Sequence, residues 1–207
     1  MTAFGTFPKK RFGLVTGSRC SVLFPLKGDG KVGKRTYAKQ LAQQKFFQFY
    51  DEMSSRATEH GKMAEHFAFL HYQTYIDPTI EQGRFIDIGE CGGSTDAETK
   101  TKVIDFKCPV TLQGWLDYYD GLDKEQIDQL EMYMWLTGKD EAEIAAYLIE
   151  TQWMTDQGLT YPVPDEKRMI IVPVTKDPTW ETRLKTELPG IIALRDEYIE
   201  RYTKLFN

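Results

Sequence analysis

The sequence predicts a layered domain of α/β or α+β class, with helices packed on a mixed β-sheet, and three observations carry that reading. A chain of 207 residues suits one domain with one core. A composition of 41% hydrophobic and 28% charged residues with 13% aromatics can bury such a core and excludes a disordered chain. The order of patterns is helical periods, then alternating segments, a helix, two apolar segments and a closing helix.

Each element has its own signal. Residues 1–12 read as loose, with a basic cluster at Lys9, Lys10 and Arg11. Thr16 or Ser18 is placed to cap a short helix through about Phe24, stopped by Pro25. Residues 27–35, KGDGKVGKR, read as a glycine- and lysine-rich loop. Residues 36–53 read as a helix, with apolar spacings at Leu41, Phe46, Phe49 and Met53. Residues 57–75 read as a second helix, ended by Pro78. Alternation predicts a strand near 79–88, then a turn at 90–100 and a strand at 102–108 ended by Pro109, the two strands pairing as a hairpin. Residues 123–137 predict a helix with Asp123 as its cap and Gly138 at its end. Residues 143–151 and 168–174 are apolar enough for interior strands, and 178–204 form a closing helix with an expected interruption at Pro189-Gly190.

Composition also excludes. No apolar run approaches the ~20 residues of a membrane-spanning helix, and the N-terminus has no secretory apolar stretch. Three cysteines, Cys20, Cys91 and Cys108, are an odd, sparse set that argues against a disulfide framework and for a reducing compartment. A net charge of −5 gives no bulk reason to expect a nucleic-acid partner, so such a partner has to be argued from local sites.

Several motifs are decoys. Gly28 to Arg35 nearly spells a phosphate-binding P-loop, but Arg35 stands where Ser or Thr must hold magnesium. His60, His66 and His71 share one predicted helix without the i, i+4 spacing of a zinc helix. The cysteines lack any CxxC spacing, and Trp115, Trp135, Trp153 and Trp180 are scattered like packing residues.

The informative segment is Asp96 to Pro109. Side chains alternate along a strand, so Asp105 and Lys107 share one face while Ile104, Phe106 and Cys108 share the other. Asp96 precedes that strand and can fold back towards Asp105. Converging carboxylates repel, a divalent cation relieves the repulsion, and hard oxygen ligands favour magnesium or manganese. Glu65, in the otherwise small or apolar run GKMAEHFAF, is available as a third carboxylate. The alternative is a surface ion pair between Asp105 and Lys107.

These residues have the form of the PD-(D/E)xK nuclease signature. More specifically, the chain resembles the lambda exonuclease and YqaJ-like viral recombinase family. Arg11 to Ser18 is similar to the family's RxGxxTxS entry, and Gly61 to Glu65 to its helical glutamate motif. Ser94-Thr95-Asp96 resembles its SPD turn, Asp105 to Thr111 its (D/E)xKCPxT strand, and Gln129 to Thr137 the QxxxY helix that follows. Thr95 stands in place of the proline, Ala97 in place of the glycine, and Asp105 in place of a glutamate.

The resemblance implies an α/β restriction-endonuclease-like core, with a mixed central sheet flanked by helices, over residues 1–207. It implies that Asp96, Asp105, Glu65 and the carbonyl of Phe106 bind metal, with two Mg²⁺ or Mn²⁺ ions. Lys107 would activate or position the attacking water, and Gln129 would contact DNA or hold the network. Arg11 and Ser18 would contact the terminal 5′ phosphate, with Ser94 and Tyr133 also on the DNA. The activity implied is a 5′-to-3′ exonuclease on ends of linear double-stranded DNA in phage-type recombination. The implied assembly is a ring-like homotrimer with a single-strand annealing protein as partner, in the cytoplasm of a bacterial or phage-infected cell. An endonuclease of the same superfamily, an inactive DNA-end-binding module and an unrelated α/β protein with a chance DxK strand are the alternatives.

Overall fold

The structure is a computed structural model that describes residues 9–28, 30–49 and 56–206. The described residues begin with a 3₁₀ turn at Lys9–Arg11, and residues 1–8 of the expected loose segment fall outside the description. Strand β1 (Val15–Thr16) follows, then a 3₁₀ helix at Gly17–Leu23 in place of the expected α-helix. Thr16 stands at its N-terminal cap but makes no side-chain capping bond.

Helix α1 (Lys31–Phe47) starts inside the expected loop, with Gly30 left-handed at its start. Packing decides this against the glycines of 27–35. Tyr37, Ala38, Leu41 and Ala42 are buried, and Lys34 pairs with Glu187 at 2.5 Å. Met53 lies outside the described residues. Helix α2 (Arg56–Tyr75) matches its expected span to within a residue.

The expected 79–88 strand divides into β2 (Glu81–Gln82) and β3 (Phe85–Asp87), broken at Gly83. A Cβ there would sit 2.0 Å from the Thr95 carbonyl oxygen, so only glycine permits the approach. The expected turn contains β4 (Cys91–Ser94) and β5 (Ala97–Glu98), and β6 is Lys102–Lys107. The predicted hairpin is therefore corrected: β3 pairs with β4 and β2 with β5, so 79–88 never pairs with β6. The intervening segment is β-competent despite its Gly-Gly, and it takes the partner positions on both sides.

Helices α3 (Leu112–Leu116) and α4 (Lys124–Thr137) follow. The α4 ends were legible. Asp123 and Gln126 form a reciprocal capping box, and Gly138 closes the helix left-handed. Strand β7 (Glu141–Tyr147) starts earlier and ends earlier than expected; α5 is Gln152–Asp156 and β8 is Met169–Thr175. Helix α6 (Trp180–Phe206) runs through Pro189 without a break.

Two sheets result, one of order β1-β4-β3 and one mixed sheet of order β2-β5-β6-β7-β8, in which only β6 and β7 run parallel. The larger core lies where α1, α4, α6 and the 3₁₀ helix meet the strands, around Leu23, Leu41, Met132, Ile144 and Trp180. A smaller core lies on the other face, where Ala68 and Tyr72 of α2 meet Ile104, Phe106 and Ala145. Strand β6 is thus apolar towards α2 and carries Asp105 towards α4, as alternation requires.

Candidate active site

The site is built at the end of β6. Strand β5 is only two residues long and pairs with Val103 and Ile104, so β6 has no strand partner on that side from Asp105 onward. The carboxylate of Asp96 fills the gap: its Oδ2 accepts from the Phe106 N–H at 2.8 Å. That bond satisfies a backbone donor that would otherwise be orphaned, and it brings Asp96 beside Asp105.

Asp105 is buried, 2% exposed, and its side chain faces α4. Its Oδ1 accepts from Gln129 Nε2 at 2.9 Å, and its Oδ2 lies 2.7 Å from Lys107 Nζ. Oδ2 nevertheless makes no well-directed hydrogen bond. Gln129 also donates to the Tyr133 hydroxyl at 3.1 Å, and Lys107 reaches Gln129 Oε1 at 3.5 Å. Gln129 and Tyr133 are four apart on α4, so one helical face supplies both.

Glu65 comes from α2, in the helical layer on the other face, yet it belongs to the same cluster. Burial raises its carboxyl pKa, the Asp105 charge raises it further, and Lys107 opposes the rise. Asp96 is pushed well above its ordinary value by burial, then by Asp105 and Glu65, with Lys107 and the Phe106 N–H opposing. Burial would depress the Lys107 ammonium, but the Asp105 charge and contact overcome it and leave the pKa raised. Among the described residues, the three carboxylates therefore share the Lys107 ammonium. The structure brings the expected Glu65, Asp96, Asp105, Lys107 and Gln129 together, with Gln129 bonded to both Asp105 and Tyr133.

The residues fit a hard divalent cation. The donor set is all oxygen, the acids crowd one another's ionisation, and Asp105 Oδ2 is buried without a hydrogen bond. Among the described residues no three His, Cys, Asp or Glu side chains already stand as a cage, because Asp96 and Asp105 are turned to Phe106 N–H, Gln129 and Lys107.

The expected DNA-contacting residues gather around Tyr133. Its buried ring is pressed by two glycines: a Cβ on Gly17 would sit 2.6 Å from Tyr133 Cε1, and one on Gly93 2.9 Å away. Ser18, exposed, and Ser94, half-buried, follow those two glycines directly. Arg11 is half-buried and within electrostatic reach of the Tyr133 hydroxyl, whose pKa is raised by burial and by Asp105 and Asp96. The buried Arg195 of α6 secures this entry segment, donating to the Gly13 carbonyl at 3.0 Å and pairing with Glu90.

Sequence reading missed Gly17, Gly93 and Arg195, although the glycines in Thr-Gly-Ser and Gly-Gly-Ser offered a signal. It also left Thr111 without a role. Thr111 caps α3 by accepting from Gly114 N–H at 3.0 Å, and Trp115 ties that helix to β7 by donating to the Ala146 carbonyl at 3.0 Å. All three cysteines are free, and burial pushes the Cys108 thiol up to about 12, helped by Glu65 and Asp96.

Comparison with solved structures places this architecture. The alkaline exonuclease LHK-Exo of Laribacter hongkongensis superposes with a TM-score of 0.75 at 20% identity, over 94% of this chain and 93% of that one. The chain has the fold of that exonuclease. The same protein in complex with dAMP gives a TM-score of 0.75 at 21% identity, over 95% and 94% of the two chains. A phage-related exonuclease from Haemophilus somnus 129PT gives 0.71 at 16% identity, over 91% and 96%. No protein-family model matches the chain, and no curated protein matches it in sequence. Among the described residues, no helix is long and apolar enough to cross a membrane.

Proposed function

We propose that the protein is a metal-dependent deoxyribonuclease, a 5′-to-3′ exonuclease acting on ends of linear double-stranded DNA. The observation that carries this is the excess of acid over base at the end of β6: Glu65, Asp96 and Asp105 share Lys107. The exonuclease fold of the neighbours supports the reaction class, and one of those neighbours binds dAMP.

Asp96, Asp105 and Glu65, with the Phe106 carbonyl, would hold one or two Mg²⁺ or Mn²⁺ ions. Bound there, the metal supplies Lewis-acid polarisation of a phosphate and a nucleophilic water. The chain's own residues do the rest. Lys107 keeps its proton, because its ammonium is stabilised by Asp105, so it orients water and offsets phosphate charge as a donor. Gln129 fixes Asp105 and Tyr133 together and thereby sets the distance between the acids and the DNA-facing rim. Arg11 is the group suited to a bidentate hold on a terminal phosphate, with Ser18 and Ser94 as neutral donors on the same rim.

The ring-like homotrimer and the annealing-protein partner are part of the same proposal. A threaded channel would need positive charge only inside, which suits a chain of net charge −5. Digestion of linear duplexes with and without 5′ phosphate, beside a sealed plasmid, tests the whole. Expected is Mg²⁺-dependent loss of linear DNA, faster with 5′ phosphate, and an intact plasmid. A cut plasmid would make it an endonuclease, and binding without product at every metal concentration would make it an end-binding module.

A further inference from the structure

Beside the acidic cluster stands a phenol that the mechanism above does not use. Tyr118 lies in the 3₁₀ turn Asp117–Tyr119 that directly follows α3. It is half-buried against the larger core and within electrostatic reach of Lys107 and Asp105. Its hydroxyl oxygen accepts from Gln126 Nε2 at 3.1 Å.

The orientation of that amide is dictated by the helix cap. Gln126 Oε1 accepts from the Asp123 N–H at 3.0 Å, so its NH₂ group has to be the end facing Tyr118. A phenol oxygen that receives a hydrogen bond still has its own proton to give, and among the described residues no group accepts that proton. Gln129, one turn further along the same face of α4, treats Tyr133 the same way, donating to its hydroxyl at 3.1 Å. Two amides of one helix thus leave two phenol protons available on the flanks of Asp105 and Lys107.

A group that fits this arrangement accepts hydrogen bonds and donates none. A phosphodiester is such a group, and the site already has the chemistry to attract one.

We propose that Tyr118 is a further catalytic residue, its phenol oriented by Gln126 so that its O–H donates to a non-bridging oxygen of the phosphodiester beside Lys107. This rests on the nuclease reading above. No proton leaves the phenol: the hydrogen bond offsets charge that grows on the phosphate oxygens during attack.

The test is the single-turnover cleavage rate of a linear 5′-phosphorylated duplex in Mg²⁺. It is read alongside duplex affinity in EDTA and the thermal midpoint of the metal-free protein. Removing one such donor is expected to slow cleavage roughly 100- to 1,000-fold, so Tyr118→Phe should show that loss with affinity and midpoint unchanged. Gln126→Glu keeps an acceptor for the cap but presents a carboxylate to the phenol. It draws the proton away from the substrate and should reproduce the loss, which a packing role for Tyr118 would not predict. Wild-type cleavage by either variant overturns the proposal, and Gln126→Glu decides alone if Tyr118→Phe fails to fold. If the unaltered protein leaves the duplex intact, both readings fall. If it cuts and Tyr118→Phe cuts equally fast, only the Tyr118 assignment falls.

Discussion

Strand β6 supplies the lysines of two lysine–carboxylate pairs, Lys102 with Glu143 of β7 on one face and Lys107 with Asp105 on the other, and they are finished differently. Towards α2, Glu143 has both oxygens occupied, one by the Tyr72 hydroxyl and one by Lys102 at 2.9 Å. One acid meets one base and one neutral donor, and nothing is left over. Towards α4, Asp105 has Lys107 and Gln129, but Asp96 and Glu65 crowd in on the same ammonium. The first pair is a closed structural contact. The second is a surplus of carboxylates over the one shared ammonium, and the proposed cation site rests on it.

The comparison breaks most sharply on activity. Lys107→Ala or Asp105→Asn should lower duplex cleavage by about 10²–10³-fold, since the first removes the proposed donor to the phosphate and the second a proposed metal-holding carboxylate. Glu143→Gln should leave the rate per folded molecule unchanged and instead lower stability by about 1–3 kcal/mol, read by urea unfolding. Equal rates for Lys107→Ala and Glu143→Gln would erase the distinction between the two faces.

Metal binding sharpens it next. Mg²⁺ at a hundred times its dissociation constant should stabilise the protein by about 2.7 kcal/mol, seen as a rise in thermal midpoint. Glu143→Gln should keep that rise, whereas Asp96→Asn and Asp105→Asn should lose it. A rise that survives both of the latter substitutions would move the metal elsewhere.

The wall behind the acids comes third. Gly17→Ala puts a Cβ 2.6 Å from the Tyr133 ring, and overpacking of that kind costs about 1–3 kcal/mol. Denaturant melts of this variant and of Gly93→Ala would measure it, and unaltered midpoints would show that the ring has room to move.

The smallest effect is a pH slope in EDTA. Asp96 has its pKa raised, so over the window between the ordinary carboxylate range and its folded value the native chain holds a proton that the unfolded chain has lost. Stability therefore falls as pH rises through that window. Asp96→Asn removes that proton while keeping an acceptor for the Phe106 N–H. Its midpoint should gain on the parent as pH climbs, then hold a constant lead. A lead that shrinks with rising pH would reverse the assigned sign.

Much of this was legible in local sequence. The α4 caps Asp123 and Gly138, the face shared by Asp105 and Lys107, and the apolar face of β6 follow from capping chemistry and strand period. A strand near 79–88 was legible, but its break at Gly83 and the strands at 91–98, inside the expected turn, were not. The latter are short, polar and glycine-rich, and only their pairing with β1, β2, β3 and β6 makes them strands. Nor was the start of α1, where contact with α6 outweighs the glycines.

By itself the sequence determined which groups were available: three acids, one lysine and one glutamine, on elements whose periods orient them. Only the tertiary structure decided that they share a cluster. That depends on β5 stopping after two residues, so that Asp96 caps an open backbone N–H, and on Glu65 reaching in from the helix layer beyond the sheet. Local periodicity sets the direction of a side chain, whereas the meeting of distant chain segments is set by which apolar faces bury against which, and no window of sequence contains that information.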